Sequence, residues 1–459
     1  MHWREIERMR MNRIAPVLIA LMLLAGCARA RWTPPSIEVP PRWSAPVVNQ
    51  AATEQARAAW WMNFNDPQLN ALIDEALKAN NDLAVAVIRV QRARLQAGLA
   101  NTTLTPDVKG VGLNTSSRNL DSHNTKRSAN VSGSLSYELD LWGKLAQQRA
   151  TAAWEAQAAE ADRAQAALNL IGTTAELYWK LVRLNEQIID GNADLKQAQK
   201  ILELVNARYA AGVISGLDRV QAEQNVSAQR LALTRLYQQR IEARHALAVL
   251  LNRPPSYAFE APEHLPDSPP PEVEAGLPAQ ALKRRPDLRV AELRLRQSFA
   301  DIEKMRASFY PAFTLTGSLG SASEALLRVL QNPVATLGIG LTLPFIEWNT
   351  MQLKIKVSKS EYAEAVVHFR KNLYTALAEV ENALSRRAQL IEAAAHQAQI
   401  AFQASQAEQQ THARFNAGAA DLQAWLEAQG GLRKARDALK QNRLDQLNNR
   451  MRLYQALGG

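Results

Sequence analysis

The sequence predicts a mainly α-helical chain of two structural repeats. Each repeat is a β-hairpin followed by a long helical hairpin, with strands of the length a membrane β-barrel uses. Three observations predict it. First, Asp82, Leu83, Val85, Ala86, Arg89 and Pro106 recur about 205 positions later as Asp287, Leu288, Val290, Ala291, Arg294 and Pro311. Ala207-Arg208-Tyr209 and Gly212 recur as Ala413-Arg414-Phe415 and Gly418, one residue further out of step. Second, within each copy the hydrophobic period changes from helical to two and back. Third, residues 144–211 and 351–417 contain no proline. A unit this long, far beyond the roughly 20–50 residues of solenoid repeats, implies duplication of a whole subdomain.

Residues 1–26 read as an export signal. Arg8, Arg10 and Arg13 form a basic start, and residues 14–25 are an apolar run too short to span a membrane. Met9 and Met11 are alternative starts. Leu24-Ala25-Gly26-Cys27 resembles the lipobox of bacterial lipoproteins. The resemblance implies cleavage before Cys27 and covalent lipid on it, several acyl chains together giving stable anchoring. The alternative is an ordinary secretory signal in which Cys27 is incidental. Cys27 is the only cysteine, so neither an intramolecular disulfide nor a thiolate metal site is available. By the same resemblance, Ala28 is compatible with passage to the outer membrane. Residues 27–59 form an acylated N-terminal tether, proline-rich over 31–46.

Repeat 1 covers residues 60–253. Trp60-Trp61 precede Asn65-Asp66-Pro67-Gln68-Leu69, where Asp66 can cap a helix and Pro67 can occupy its first position. Leu69, Leu72, Ile73, Ala76 and Leu77 follow at helical spacing, and a second helix is predicted over about 82–102. Strands are predicted over about 106–115 and 130–141. In the latter, Val131, Gly133, Leu135, Tyr137, Leu139 and Leu141 alternate with Ser132, Ser134, Ser136, Glu138 and Asp140. Residues 116–127 read as a polar loop. A helical hairpin follows over about 144–252, its long arm on the order of 100 Å if continuous. Helices of that length need a coiled-coil-like partner, here residues 217–251. The turn Ala211-Gly212-Val213-Ile214-Ser215-Gly216 joins them, Gly212 suiting a left-handed helix end and Ser215 an N-cap.

A proline-rich linker, residues 254–278, leads to repeat 2, residues 279–459. Its strands are predicted over about 312–320 and 335–346. Phe313, Leu315, Gly317 and Leu319 alternate with Thr314, Thr316 and Ser318; Leu337, Ile339, Leu341, Leu343 and Phe345 alternate with Gly338, Gly340, Thr342 and Pro344. The helical hairpin covers about 351–457, turning at Gly418-Ala419-Ala420-Asp421.

The alternation fits equally a barrel strand in lipid and the half-buried sheet of a soluble protein. If the strands cross a membrane, four cannot close, and an open edge is not tolerated in lipid. About eight strands is the usual minimum, so the chain must oligomerise. The polar set, with Ser132, Ser134, Ser136, Glu138, Asp140, Thr314 and Thr316, then lines a wet lumen.

Composition argues against other classes. The formal charge is +10, but Lys and Arg are interspersed with Asp, Glu and Gln along helices, which does not suit nucleic acid. His123, His245, His264, His368, His396 and His412 show no metal-ligand spacing, and no nucleophile motif or phosphate loop occurs. Neither a metal, a cofactor nor catalysis is expected. A periplasmic adaptor or a structural coiled-coil lipoprotein is the alternative reading. An adaptor would carry one helical hairpin between β-rich halves, and a coiled coil would lack the alternating strands.

Trp60-Trp61, Asn65-Asp66-Pro67-Gln68-Leu69 and Asn81-Asp82-Leu83 resemble the opening signature of TolC-like outer-membrane efflux proteins. So do Tyr137-Glu138-Leu139-Asp140-Leu141-Trp142-Gly143-Lys144, Arg285-Pro286-Asp287-Leu288 and the C-terminal Tyr454-Gln455-Ala456-Leu457-Gly458-Gly459. With Cys27, the resemblance is to the lipoprotein branch, the outer-membrane factors of tripartite efflux pumps. It implies a homotrimer with a twelve-stranded barrel continued by a periplasmic α-helical tunnel. It implies a passive duct in the outer membrane exporting drugs or other toxic small molecules, fed by an inner-membrane pump through a periplasmic adaptor. The hairpin tips become the closed entrance and adaptor contact, with Arg208, Gly212, Ser215, Asp218, Arg414, Gly418 and Asp421 as candidates. Asp218 and Asp421 are read either as tip ion pairs or a constriction, or as plain helix caps. Two departures stand out: Trp348-Asn349 where the family has Gly-Gly, and a second tip reading Leu422-Gln423-Ala424-Trp425.

Overall fold

The computed structural model describes residues 32–44, 59–118, 125–273, 275–323 and 333–459. The signal segment, Cys27 and most of the tether lie outside these residues, as do the centre of the predicted polar loop and the β3–β4 connection. In chain order the elements are α1 (Pro67–Ala79), α2 (Asn81–Asn101), β1 (Asp107–Arg118), β2 (Thr125–Leu139), α3 (Lys144–Ala210) and α4 (Gly216–Leu250). They recur as α5 (Pro278–Arg284), α6 (Pro286–Ala307), β3 (Ala312–Ser323), β4 (Pro333–Thr342), α7 (Trp348–Asn416) and α8 (Leu422–Ala456). No helix among the described residues is long and apolar enough to cross a membrane.

The described residues form two compact units. One holds Arg89–Glu160 and Val290–Lys371, with residues 32–37. Its centre is an antiparallel sheet in the order β1-β2-β3-β4. Register decides what each face carries. Ser132, Ser134, Ser136 and Glu138 stand opposite Gly320, Ser318, Thr316 and Thr314, and the last two stand opposite Gly338 and Gly340. On the other face Val108 meets Leu135, Tyr137 meets Leu315, and Leu315 meets Ile339. This apolar face is not covered: Val108 is 74% exposed, Leu337 92% and Ile339 77%. On the polar face space is tight, because a Cβ at Gly338 would lie 3.0 Å from Thr316 Oγ1, which donates to the Gly338 carbonyl at 3.1 Å.

Strand ends differ from the sequence prediction for local reasons. Asp140, expected among the inward polar residues, lies past the end of β2. Its carboxylate accepts from the Leu145 and Ala146 amides at 3.0 and 2.6 Å, capping α3, and faces Arg149 at 3.6 Å. Free amides at a helix start outcompete a place on the strand for a nearby carboxylate. In repeat 2, β4 ends at Thr342, short of the expected 346. Pro344 has no amide to donate to a ladder and opens the 3₁₀ turn Pro344–Ile346. Conversely, β1 and β2 run on to Arg118 and back to Thr125, into the stretch read as loop.

The other unit holds Ala161–Arg289, Asn372–Gly459 and the described part of Glu38–Ile88. Here the signature residues acquire physical roles. Trp60 stacks on Tyr454 with centroids 4.7 Å apart, and Phe64 packs on Trp179 at 5.0 Å. Asp66 accepts from the Gln68 and Leu69 amides at 3.1 and 3.0 Å, starting α1, and from the Tyr178 hydroxyl at 2.8 Å. Burial, then this bond, pushes the Tyr178 phenol above its ordinary range, so it stays a donor. The duplication reaches individual hydrogen bonds. Asn80 Nδ2 donates to the Leu250 carbonyl at 2.9 Å; 205 and 206 places on, Arg285 Nη1 donates to the Ala456 carbonyl at 2.9 Å.

Arg183, 2% exposed, is the deepest charge in this unit. It donates to Glu186 at 3.1 Å and to the carbonyl and carboxylate of Asp437, while Lys440 and His264 approach Glu186 at 3.4 and 3.5 Å. Removing one member of such a cluster strands the other charge. Arg183→Met is expected to destabilise the helical unit by about 3–5 kcal/mol, read as a lower denaturation midpoint of the helical signal. Arg183→Met with Glu186→Gln should recover part of the loss; an unchanged midpoint in the single variant would contradict the cluster's role.

Candidate functional site at the helical hairpin tips

The turns that close the two helical hairpins fold alike because one backbone solution suits both. Gly212 and Gly418 each have φ of 73°. In the first tip the Gly212 amide donates to the Tyr209 carbonyl at 2.9 Å and the Val213 amide to Arg208 at 2.9 Å. In the second, Gly418 donates to Phe415 at 3.1 Å and Ala419 to Arg414 at 2.8 Å. This pattern of paired bonds satisfies the last carbonyls of a helix and requires a left-handed residue. No atom lies within 4 Å of a Cβ built at either glycine, so conformation alone demands glycine there.

Each following helix starts on a cap. Ser215 and Asp218 form a capping box: the Asp218 carboxylate accepts from the Ser215 amide at 3.0 Å and hydroxyl at 2.7 Å. Asp421 accepts from the Ala424 amide at 2.8 Å. Both acids therefore cap helices. The partner of Asp421 under the duplication is Ser215, 206 places earlier, whereas Asp218 maps onto Ala424. Arg414 Nη2 reaches the Ala419 carbonyl at 3.5 Å, within its own turn.

Arg208 does something different. Its guanidinium lies 4.7 Å from the centroid of the Phe415 ring, and its Nη2 is 3.5 Å from Asn416 Oδ1, so it ties the first tip to the second. Phe415 stacks on Trp425 at 5.1 Å, and Trp425 on His412 at 4.4 Å. Trp425 Nε1 donates to Glu408 at 3.0 Å. Below them Ile201, Val205, Ala222 and Leu422 complete a buried cluster. Trp425, 2% exposed, is its largest member, and sequence reasoning missed its role. The unusual Leu422-Gln423-Ala424-Trp425 run marked the place. Leu422 and Trp425, three apart, share one helix face, as do Ile201 and Val205, four apart, but only the fold shows that both stripes meet.

The tips are unequal on their outer surfaces. The first exposes Tyr209, Val213, Leu217 and Val220, with Val213 69% exposed. In the second, the corresponding Phe415 is buried. The strand candidates Ser132, Ser134, Ser136, Glu138, Thr314 and Thr316 belong to the other unit, where register gathers them on one face and Glu138 pairs with Lys144 at 2.6 Å. Among the described residues no group of three or more His, Cys, Asp or Glu is placed to hold a metal ion. What the described tip residues offer is two capped turns, an aromatic cluster between them and an exposed apolar surface on the first.

A family model described as outer membrane efflux protein matches residues 72–253 and 277–459. A relative from Pseudomonas putida, named pyoverdine export outer membrane protein OpmQ, is 32% identical over 96% of this chain and 96% of its own length. The protein of the same name from Pseudomonas aeruginosa is also 32% identical, over 96% of each chain. Among solved structures, the open state of the Neisseria gonorrhoeae MtrE outer membrane channel superposes with a TM-score of 0.78 at 29% identity, covering 94% of this chain and 97% of that one.

Two outcomes follow from the tip geometry. Gly212→Ala and Gly418→Ala should each cost about 1–2 kcal/mol of local stability, with Asn milder, seen as faster amide exchange confined to the altered tip. Trp425→Ala should cost about 3–5 kcal/mol and loosen both tips together. Exchange that rises in the second tip alone would show that the cluster does not couple them.

Proposed function

Because the chain belongs to the outer membrane efflux protein family, we propose that three copies assemble into one passive duct, with the strands crossing the outer membrane and the helical hairpins continuing the passage into the periplasm. Membership makes the chain the outer-membrane channel component of an efflux system and sets aside the adaptor and structural coiled-coil readings. Relatives bear the names of export and channel proteins rather than enzymes.

The sheet carries the proposal. It exposes large apolar side chains on one face, carries mainly hydroxyls and glycines on the other, joined there by Asp107, Lys109, Val111 and Glu138, and ends in β1 and β4 with one edge of each unpaired within the chain. Apolar-out, polar-in strands suit lipid outside and water inside. Open ladder edges do not persist in lipid, so the sheet must close on further copies. Three four-stranded sheets supply twelve strands, within the range at which barrels close. Ser132, Ser134, Ser136, Glu138, Thr314 and Thr316 then face the lumen.

The tips form the periplasmic entrance. Arg208, Phe415 and Trp425 hold the two hairpins of one copy together, and opening moves such pairs as bodies. The exposed apolar residues of the first tip are the surface assigned to a periplasmic adaptor, while an inner-membrane pump supplies the energy. Lipid on Cys27 anchors each copy to the outer membrane and is the only covalent group the reading requires.

Purified protein in planar bilayers is expected to give discrete conductance steps, with Trp425→Ala raising the open fraction several-fold. A monodisperse monomer that never conducts would overturn the duct. Intact-mass measurement should find diacylglycerol and acyl mass on the mature chain and none on Cys27→Ala; an unmodified Cys27 in the parent would remove the anchor.

A further inference from the structure

In the helical unit the proline-rich linker meets α7 and α8 around a cavity of about 400 Å³, within the roughly 300–1,000 Å³ of small-molecule sites. The linker supplies Pro270 and Glu272, α7 supplies Arg387, Leu390 and Ile391, and α8 supplies Arg450. Arg450 is 6% exposed. Its Nη1 is fully buried without a hydrogen-bond partner, and no described acid pairs with it. The other buried arginines among the described residues are provided for: Arg183 holds Glu186 and Asp437, and Arg285 holds Asp287 and Glu379.

A guanidinium keeps its charge inside a protein, and a buried charge without a counter-ion is costly. Burial, then the neighbouring Arg387 cation, pushes the Arg450 guanidinium down to about 10, so at neutral pH it is still a cation. Glu272 and Tyr454 act the other way, but the Glu272 carboxylate is taken by Arg387 at 2.8 Å and is 68% exposed. The cavity therefore sets two cations against one carboxylate. A single negative charge closes that balance. A doubly charged phosphate overshoots it and meets Glu272. Pro270, Leu390 and Ile391 give the cavity an apolar wall, and Ile391 is 54% exposed in the single chain.

We propose that this cavity binds a small organic monocarboxylate, its carboxylate on Arg450 and Arg387 and its apolar body against Pro270, Leu390 and Ile391. A planar guanidinium meets a carboxylate in a two-bond fork, which an ammonium cannot do. The arginine pair is not part of the duplicated frame: 206 places earlier Arg450 corresponds to Arg244, but Arg387 corresponds to Leu181. A ligand here joins linker, α7 and α8. All of the lining comes from one chain, so binding is separable from the assembly of a duct.

The test is calorimetric titration of purified full-length protein with benzoate, paired with its denaturation midpoint. Benzoate is expected to bind saturably and to raise the midpoint of the helical signal. Arg450→Met and Arg387→Leu should each weaken binding on the order of ten- to a hundred-fold, the loss of one charge-assisted contact. Each should also remove the benzoate-dependent rise while keeping the parent's helicity. Should Arg450→Met fail to fold, Arg387→Leu carries the same comparison. Benzyl alcohol, the same ring without the charge, and inorganic phosphate should not displace benzoate. No saturable binding to the parent, or equal affinity in the parent and the folded variants, overturns the site. Displacement by phosphate as effective as benzoate itself overturns the monocarboxylate assignment, and displacement by benzyl alcohol overturns the role of the arginines.

Discussion

A backbone ladder that ends in lipid leaves its last row of amides and carbonyls without partners, and every such group costs several kcal/mol. That constraint organises this chain. One copy makes four strands with an apolar face outward, a polar face behind it and one edge open at each end. On the proposed reading, further copies complete this sheet. Oligomerisation and a lumen lined mainly by small polar residues follow on that reading.

The helical half answers a different requirement. Two helices of 67 and 69 residues cannot hold themselves straight in water by propensity alone. They are pinned where the signature residues meet: Trp60 on Tyr454, Asp66 under Tyr178, and Arg285 between Asp287, Glu379 and the Ala456 carbonyl. At the far end Arg208, Phe415 and Trp425 gather one copy's tips into one body. The first tip keeps an apolar surface outward, and the second turns Phe415 and Trp425 inward.

Much of this was legible in the residues. Periodicity located strands and helices, and Gly212 and Gly418 marked the tips because only a left-handed turn explains glycine there. Local competition was not legible. Asp140 reads as a strand residue by alternation, yet the free amides of α3 claim it. Pro344 sits at a permitted alternation position but ends β4 by lacking an amide. Trp425 and Arg208 act through contacts between segments about 200 residues apart, which no single-helix pattern encodes. Cys27 and its lipid rest on the sequence alone.

Amide hydrogen exchange on the detergent-extracted protein, resolved along the four strands, addresses the central claim that the sheet closes between copies. Closure predicts that β1 and β4 amides are protected as strongly as those of β2 and β3, on both sides of each strand. If alternate amides of β1 and β4 exchange within seconds while β2 and β3 stay protected, the edges are open and the account fails.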